Sequence, residues 1–269
     1  MMDALYLKRK RQTKQAFALL ALIGLLFSIF NDPGGEWHQV WLRLPLLLTG
    51  SQQGWPWSGG FVLNIYISIV SMALSTVFGL LLGLAMMAKR RWLSLPARAL
   101  MNFLRNAPWL VLLFSMLYLL PYHASLFGIS FTFSPLFKAI VGLSLPTAAN
   151  FAEVIRGAVQ SVHSGQWESA RSMGYSYWQI YRLVILPQAF RRIIPGWMNL
   201  YALLTISTAL ATVTGVQEVV TLLRTTLATE GESTLVYFYV TVLLMFFFYC
   251  YPIALLARRL EKNTKGEAI

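Results

Sequence analysis

Six stretches of this chain, residues 16–30, 61–88, 101–121, 139–155, 195–216 and 235–257, are nearly free of charge. No water in a bilayer core can take up backbone polar groups, so a crossing segment must satisfy them internally as a helix. That takes about 20 apolar residues for a hydrocarbon thickness of ~30 Å. Five blocks reach or approach this length. The first, 15 residues long, gives only about 22 Å as a helix, so it must borrow flanking residues or let Lys14 snorkel. The basic run 8–11 ahead of it also fits a signal peptide. No small-x-small cleavage site follows Phe30, where the chain reads Asn31-Asp32-Pro33-Gly34-Gly35, and a retained first span is the preferred reading. The expected fold is all-α: a polytopic helical membrane protein with about six transmembrane helices.

Charge sharpens the topology. There are 22 Lys+Arg against 10 Asp+Glu, a net +12 that in a soluble protein would suggest nucleic acid. Charged residues make up only 12% of the chain, about half the roughly 25% of a soluble domain, which excludes an ordinary soluble enzyme and a disordered chain. Assigning the connecting segments alternately to two sides leaves only Arg43, Lys138 and Arg224 on one side and the other 19 basic residues opposite. This is the positive-inside pattern: both termini are expected to be cytoplasmic, and the basic charge is accounted for without a nucleic-acid partner.

Chemistry is hard to place on the chain. Cys250 is the single cysteine, which excludes a disulfide framework and a Cys-based zinc site. His38, His123 and His163 lie in connecting segments, without H-E-x-x-H spacing, and neither a G-x-S-x-G elbow nor a phosphate loop occurs. No catalytic residue, metal ligand or cofactor of its own is expected. Energy for uphill movement would have to come from another chain.

Polar residues inside the apolar blocks run at helical spacing. Asn64, Ser68, Ser71 and Ser75 share one face of the second block, beside the small-xxx-small pair Gly79 and Gly83. Tyr201, Thr205, Thr208 and Thr212 repeat the pattern in the fifth. Such stripes either line a hydrophilic path or glue helices together, and spacing does not separate the two. The fourth block carries Asn150, then Glu153 and Arg156 three apart and able to pair as a structural ion pair or at a path mouth. Pro146 and Pro252 predict kinks. Between the first two blocks, Trp37, Trp41, Leu44 and Leu48 suggest either a short interfacial helix interrupted by Pro45 or a Trp-rich loop.

The mixed-polarity loop 159–194 is punctuated as two short helices. Ser164 can cap the first, which contains Trp167, Glu168, Ala170 and Arg171, and Gly174 can end it in a left-handed conformation. Ser176-Tyr177-Trp178-Gln179 reads as a capping box opening the second, through Tyr181 and Val184, with Pro187 ending or bending it. The aromatic tip of Tyr175, Tyr177, Trp178 and Tyr181 suits either a helix-in-groove contact with a protein partner or lipid headgroups.

Glu168-Ser169-Ala170, three residues, Gly174, nine residues, Val184-Ile185-Leu186-Pro187 resembles the E-A-A-x3-G-x9-I-x-L-P loop of ABC importer permeases, with Ser169 for the first alanine and Val184 for isoleucine. Arg105-Asn106-Ala107-Pro108 is similar to the R-x-T-P segment of polar amino-acid uptake permeases. The segment 150–158, with Asn150, Glu153, Arg156 and Gly157, resembles their A-Y-x-A-E-[IV]-x-R-G-[AG]. The run from Ser207 to Glu218 parallels their K-x-T-S-L…[IV]-x-x-x-E-L region, with Ile206 where the lysine would fall. The glutamine that follows their R-x-T-P segment is missing from the wholly apolar 110–114.

The resemblance implies a five-helix type I importer core over 61–262, preceded by residues 1–60 with an extra span and an outer-face loop, and followed by a tail 263–269. It implies a coupling segment near 171–179, with Glu168, Ser169, Ala170, Arg171, Gly174, Tyr175, Trp178, Gln179, Leu186 and Pro187 as the docking set. The partners it implies are two ATPase subunits carrying MgATP, a second permease, identical or homologous, and a periplasmic or lipid-anchored binding protein, all at a bacterial inner membrane. Asn64, Ser68, Ser71, Asn150, Glu153, Thr205, Thr208 and Thr212 are the candidate path residues. Arg105, Pro108, Arg156, Gly157 and Glu218 are the further motif positions. An importer of another subclass, for sugars or inorganic ions, is the nearer alternative; an ion channel or an intramembrane enzyme is more remote.

Overall fold

The computed structural model describes Gly24 and residues 34–126 and 129–266. Apart from Gly24, the first apolar block and the basic run before it lie outside the described residues, as do residues 267–269 of the tail.

The molecule is organised around two helices, α2 (Gly60–Met86) and α5 (Pro135–Gln160), that run parallel in constant register. Ser71 Oγ donates to the Ile140 carbonyl (3.2 Å) and Ser75 Oγ to that of Ser144 (3.0 Å). One and two turns further on, Gly79 faces Ala148 and Gly83 faces Ala152. A Cβ on Gly79 would lie 2.7 Å from the Ala148 oxygen, so the close approach needs a residue without one there. Ser71 and Ser75, half of the first polar stripe, therefore lie on this seam.

Before the pair comes α1 (Glu36–Thr49). It buries Val40 and Leu47, sets Trp37 edge-on to Tyr237 at 5.3 Å, and leaves Trp41 65% exposed. The expected interruption does not occur, because the helix runs through Pro45 to Thr49. Between α2 and α5, α3 (Arg91–Asn106) and α4 (Trp109–Leu119) meet at a bend of 104°. The apolar block 101–121 is thus not one straight span. Pro108 opens α4 and holds the preceding Ala107 extended, which breaks the helix there. A two-stranded antiparallel hairpin, β1 (His123–Leu126) with β2 (Ile129–Thr132), then leads into α5.

After α5 come α6 (Ser164–Ser172), α7 (Tyr177–Ile180), a π-helical turn (Tyr181–Ile185) and α8 (Leu186–Ser207), which winds into a 3₁₀ segment (Thr208–Thr214). A turn at Gly215 leads to α9 (Val219–Glu230), and α10 (Leu235–Gly266) closes the fold. α8 runs antiparallel to α2: Trp197 Nε1 donates to Thr76 Oγ1 (2.8 Å) and Asn64 Nδ2 to Thr208 Oγ1 (3.0 Å).

Among the described residues, Gly60–Met86, Tyr177–Thr214 and Glu232–Lys262 are long and apolar enough to cross a membrane, and the bent α3–α4 pair adds a fourth if it is one span. α5 contains the block 139–155 and is long enough, but Lys138, Asn150 and Glu153 lower its apolar content. Lys138 is buried and donates to the Leu117 and Leu120 carbonyls at the end of α4 (3.0 and 2.6 Å), a favourable position for a cation.

Candidate functional site

At the end of the molecule where α5 finishes, the chain makes a protruding helical loop. His163, not Ser164, caps α6, its Nδ1 accepting from the Gly165 amide at 3.1 Å. At the other end of α6, Tyr175 N donates to the Ala170 carbonyl (3.2 Å) and Gly174 N to that of Arg171 (2.9 Å), around Gly174 at φ +79°. This is a Schellman ending, and the left-handed residue makes glycine the natural occupant. The expected capping box is present: Ser176 Oγ accepts from Gln179 N while Gln179 Oε1 accepts from Ser176 N.

Pro187 does not end the helix. The wider turn at Tyr181–Ile185 hands over to α8, with Pro187 in its first turn, where a missing N–H is harmless. One helical path therefore runs for 38 residues, Tyr177–Thr214.

The loop is anchored by its buried side and presents the other. Ala170, Ile180, Ile185 and Ala189 pack against Val159 and Val162. Glu168, Ser169, Arg171, Gly174, Tyr175, Gln179, Leu186 and Pro187 are exposed, and Trp178 is 72% exposed. Trp167, Tyr177 and Tyr181 cluster with ring centroids 5.3–6.1 Å apart, tilted or edge-on to one another, and Lys89 Nζ sits 4.2 Å above the Tyr177 ring. That lysine, between the second and third apolar blocks, had no sequence signal tying it to the loop.

The path candidates fall into separate groups. At the opposite end of the molecule, Asn64, Thr208 and Glu218 form a fully buried network. Asn64 Nδ2 donates to Thr208 Oγ1 (3.0 Å) and Glu218 Oε2 (3.1 Å), while its Oδ1 accepts from Val219 N (3.0 Å). Glu218 caps α9, accepting from the amides of Val220 and Thr221 (2.9 and 2.8 Å). Burial pushes its carboxyl above the usual range, and these donors pull it back in part.

Thr212 Oγ1 accepts from Thr221 Oγ1 (2.9 Å), and Thr205 is buried with its hydroxyl on the Tyr201 carbonyl. Ser68 lies by Tyr201, whose hydroxyl is 2.6 Å from that of Tyr249. Tyr249 was not among the expected residues, since nothing in α10's apolar pattern singles it out. Asn150 is half-buried and donates to the Pro146 carbonyl.

The motif positions Arg105, Glu153 and Arg156 converge near the loop end. Arg156 grips Glu153 in two bonds (2.8 and 2.6 Å) and also donates to Gln160, while Arg105 approaches Glu153 at 3.7 Å. Gly157 beside them is exposed, and among the described residues nothing would meet a side chain there. Among the described residues no cluster of His, Cys, Asp or Glu could hold a metal.

Residues 75–266 match the family described as the binding-protein-dependent transport system inner membrane component. The chain belongs to that family. This permease is 41% identical over 159 residues to the probable amino-acid ABC transporter permease protein YckA of Bacillus subtilis (strain 168), covering 59% of this chain and 68% of the relative. It is 33% identical to the probable glutamine permease protein GlnP of the same strain, covering 75% of this chain and 90% of the relative. The L-cystine permease TcyB is 31% identical, covering 82% and 95%.

Its fold matches a chain of an amino acid ABC transporter crystallised with histidines (TM-score 0.64, 22% identity, 74% of this chain and 91% of that one). It also matches a chain of the inward-facing MetNI methionine transporter (TM-score 0.62, 23% identity, 76% and 94%). The permease is thus a multi-pass inner-membrane transporter subunit, and its resemblance to the amino-acid uptake permeases holds at the level of family.

Proposed function

We propose that this subunit carries a polar amino acid, or a close relative such as an opine, through an importer assembled from two permeases, two ATPase chains and a binding protein on the outer face. The substrate class rests on relatives named for amino acids, glutamine, L-cystine and octopine. Both termini face the cytoplasm, and counting the block 16–30 there are six spans. MgATP binds and is hydrolysed on the partner chains, and this chain contributes the path and the lever.

The observation that carries this reading is the protruding loop. It is rigidly built, with a Schellman ending, a capping box and an apolar anchor, yet it shows an aromatic and charged face that no part of this chain covers among the described residues. Rigid construction under an exposed aromatic face suits a docking element. The 38-residue path from Tyr177 to Thr214, about 57 Å if wholly α-helical, joins that face to the Asn64–Thr208–Glu218 network at the other end. Closure of the ATPases, which favours one arrangement of the permeases, would be passed along this helix.

Gly174→Pro imposes φ near −65° where +79° is needed and removes the amide bonded to Arg171. Glu168→Lys reverses an exposed charge on the docking face. Both variants should insert normally and lose at least about tenfold in uptake of labelled amino acid, with weaker co-purification of the ATPase. Full uptake with full co-purification in both would refute the coupling role.

A further inference from the structure

An apolar cleft of about 580 Å³ opens between α2, α5 and the start of α8, on the side of the loop. Phe151 and Ile155 form its buried floor; Leu84 and Phe190, 53% and 59% exposed, form its walls. Along α2 it extends from Thr76 to Met87, about 16 Å at 1.5 Å per residue. An extended acyl chain fits along that length.

The rim carries the opposite chemistry. Arg182, at its edge, is exposed and has no hydrogen bond or ion pair among the described residues. Lys89 lies over Tyr177, whose ring is 5.4 Å from that of Tyr181 on the rim. Arg90 and Arg91 follow, both exposed. Trp178 stands at the same edge, as amphipathic rings do at a headgroup boundary, and among the described residues none that lines the cleft is acidic. An apolar slot one acyl chain long with a basic mouth complements a lipid with a negative headgroup.

We propose that this cleft binds an anionic phospholipid, one acyl chain lying on Phe151 and Ile155 and the phosphate at Arg182. The lipid would rest directly against Trp178 and Tyr181 of the protruding loop, so membrane composition would bear on the loop's position. The site needs only that this part of the chain lie in a bilayer, and it is tested without any transport measurement.

The full-length permease is purified from vesicles of mixed phosphatidylglycerol and phosphatidylcholine, and retained lipid is counted by native mass spectrometry. Phosphatidylglycerol should be retained preferentially. Arg182→Gln should lower its retention about tenfold and Arg182→Lys should restore most of it, with Arg258→Gln, an exposed cation on α10, as an unchanged control. Leu84→Trp, which fills the slot, should reduce retention of both lipids. Equal retention of the two headgroups by the wild type, or unaltered retention in Arg182→Gln and Leu84→Trp, overturns the site. So does a photo-cross-linker at position 84 that captures a second permease chain in place of lipid.

Discussion

Asn64 serves three partners at once from a position with no solvent exposure: the Thr208 hydroxyl, the Glu218 carboxylate and the Val219 amide. Replacing it with leucine leaves two buried acceptors, Thr208 Oγ1 and Glu218 Oε2, and a buried donor, the Val219 amide, each one partner short, the expensive half of any hydrogen-bond exchange. Asn64→Leu should lower stability by about 2 kcal/mol, measured by thermal unfolding in detergent. It also removes one of the donors that hold the Glu218 carboxyl down, so that carboxyl rises further above its ordinary value. A carboxyl raised in the folded state favours folding while protonated and loses that advantage as pH rises through the raised value. The variant's deficit should therefore narrow on acidification, and a deficit independent of pH would remove Glu218 from the account. At this scale the sequence showed the spacing of Asn64, Ser68 and Ser71 but not what they meet. Glu218 is 154 positions from Asn64, and no local pattern reports such a pairing.

The parallel seam of α2 and α5 turns a sequence ambiguity into a distinction between neighbouring turns. A methyl group added at Gly79 would sit 2.7 Å from the Ala148 oxygen and 2.9 Å from Phe151 Cδ1, whereas one at Gly83 meets nothing closer than 3.3 Å. Gly79→Ala must push backbone against backbone and should cost about 2 kcal/mol, as overpacking typically does. Gly83→Ala requires a shift of a few tenths of an ångström and gains helix propensity, so it should stay within about 1 kcal/mol of wild type. Equal thermal shifts for the two would mean the seam opens freely. The small-xxx-small signal named both glycines but could not rank them, because rank depends on which atom of α5 stands opposite.

The protruding loop was more legible. Gly174 and the Ser176–Gln179 box act through bonds within a few residues, which local sequence encodes fully. His163 displaced Ser164 as the cap, and the helix passed Pro187, because the register of α6 and the π-helical turn are set by the packing of Ala170, Ile185 and Ala189 on α5. The bend before α4 had a visible signal in Pro108, obscured by the apolar run around it.

For the whole molecule, the decisive relation is that one helical path ties the exposed loop to a buried network at the far end. If the loop docks the ATPase and the network sets the far end, as proposed, the two should be separable by substitution. Thr208→Leu removes the hydroxyl that accepts from Asn64 and donates to the Thr205 carbonyl, and leaves the loop face untouched. ATPase association, read at the loop, should survive, while uptake should fall about tenfold because the far end no longer has a defined position to switch between. Thr208→Ser keeps the hydroxyl and should retain most of the uptake, which separates loss of the bond from loss of packing. Normal uptake in Thr208→Leu with unchanged substrate affinity would reduce Thr208 to a packing residue. Loss of ATPase association would instead show that the network supports the whole subunit, and a lever with a fixed far end would have to be abandoned.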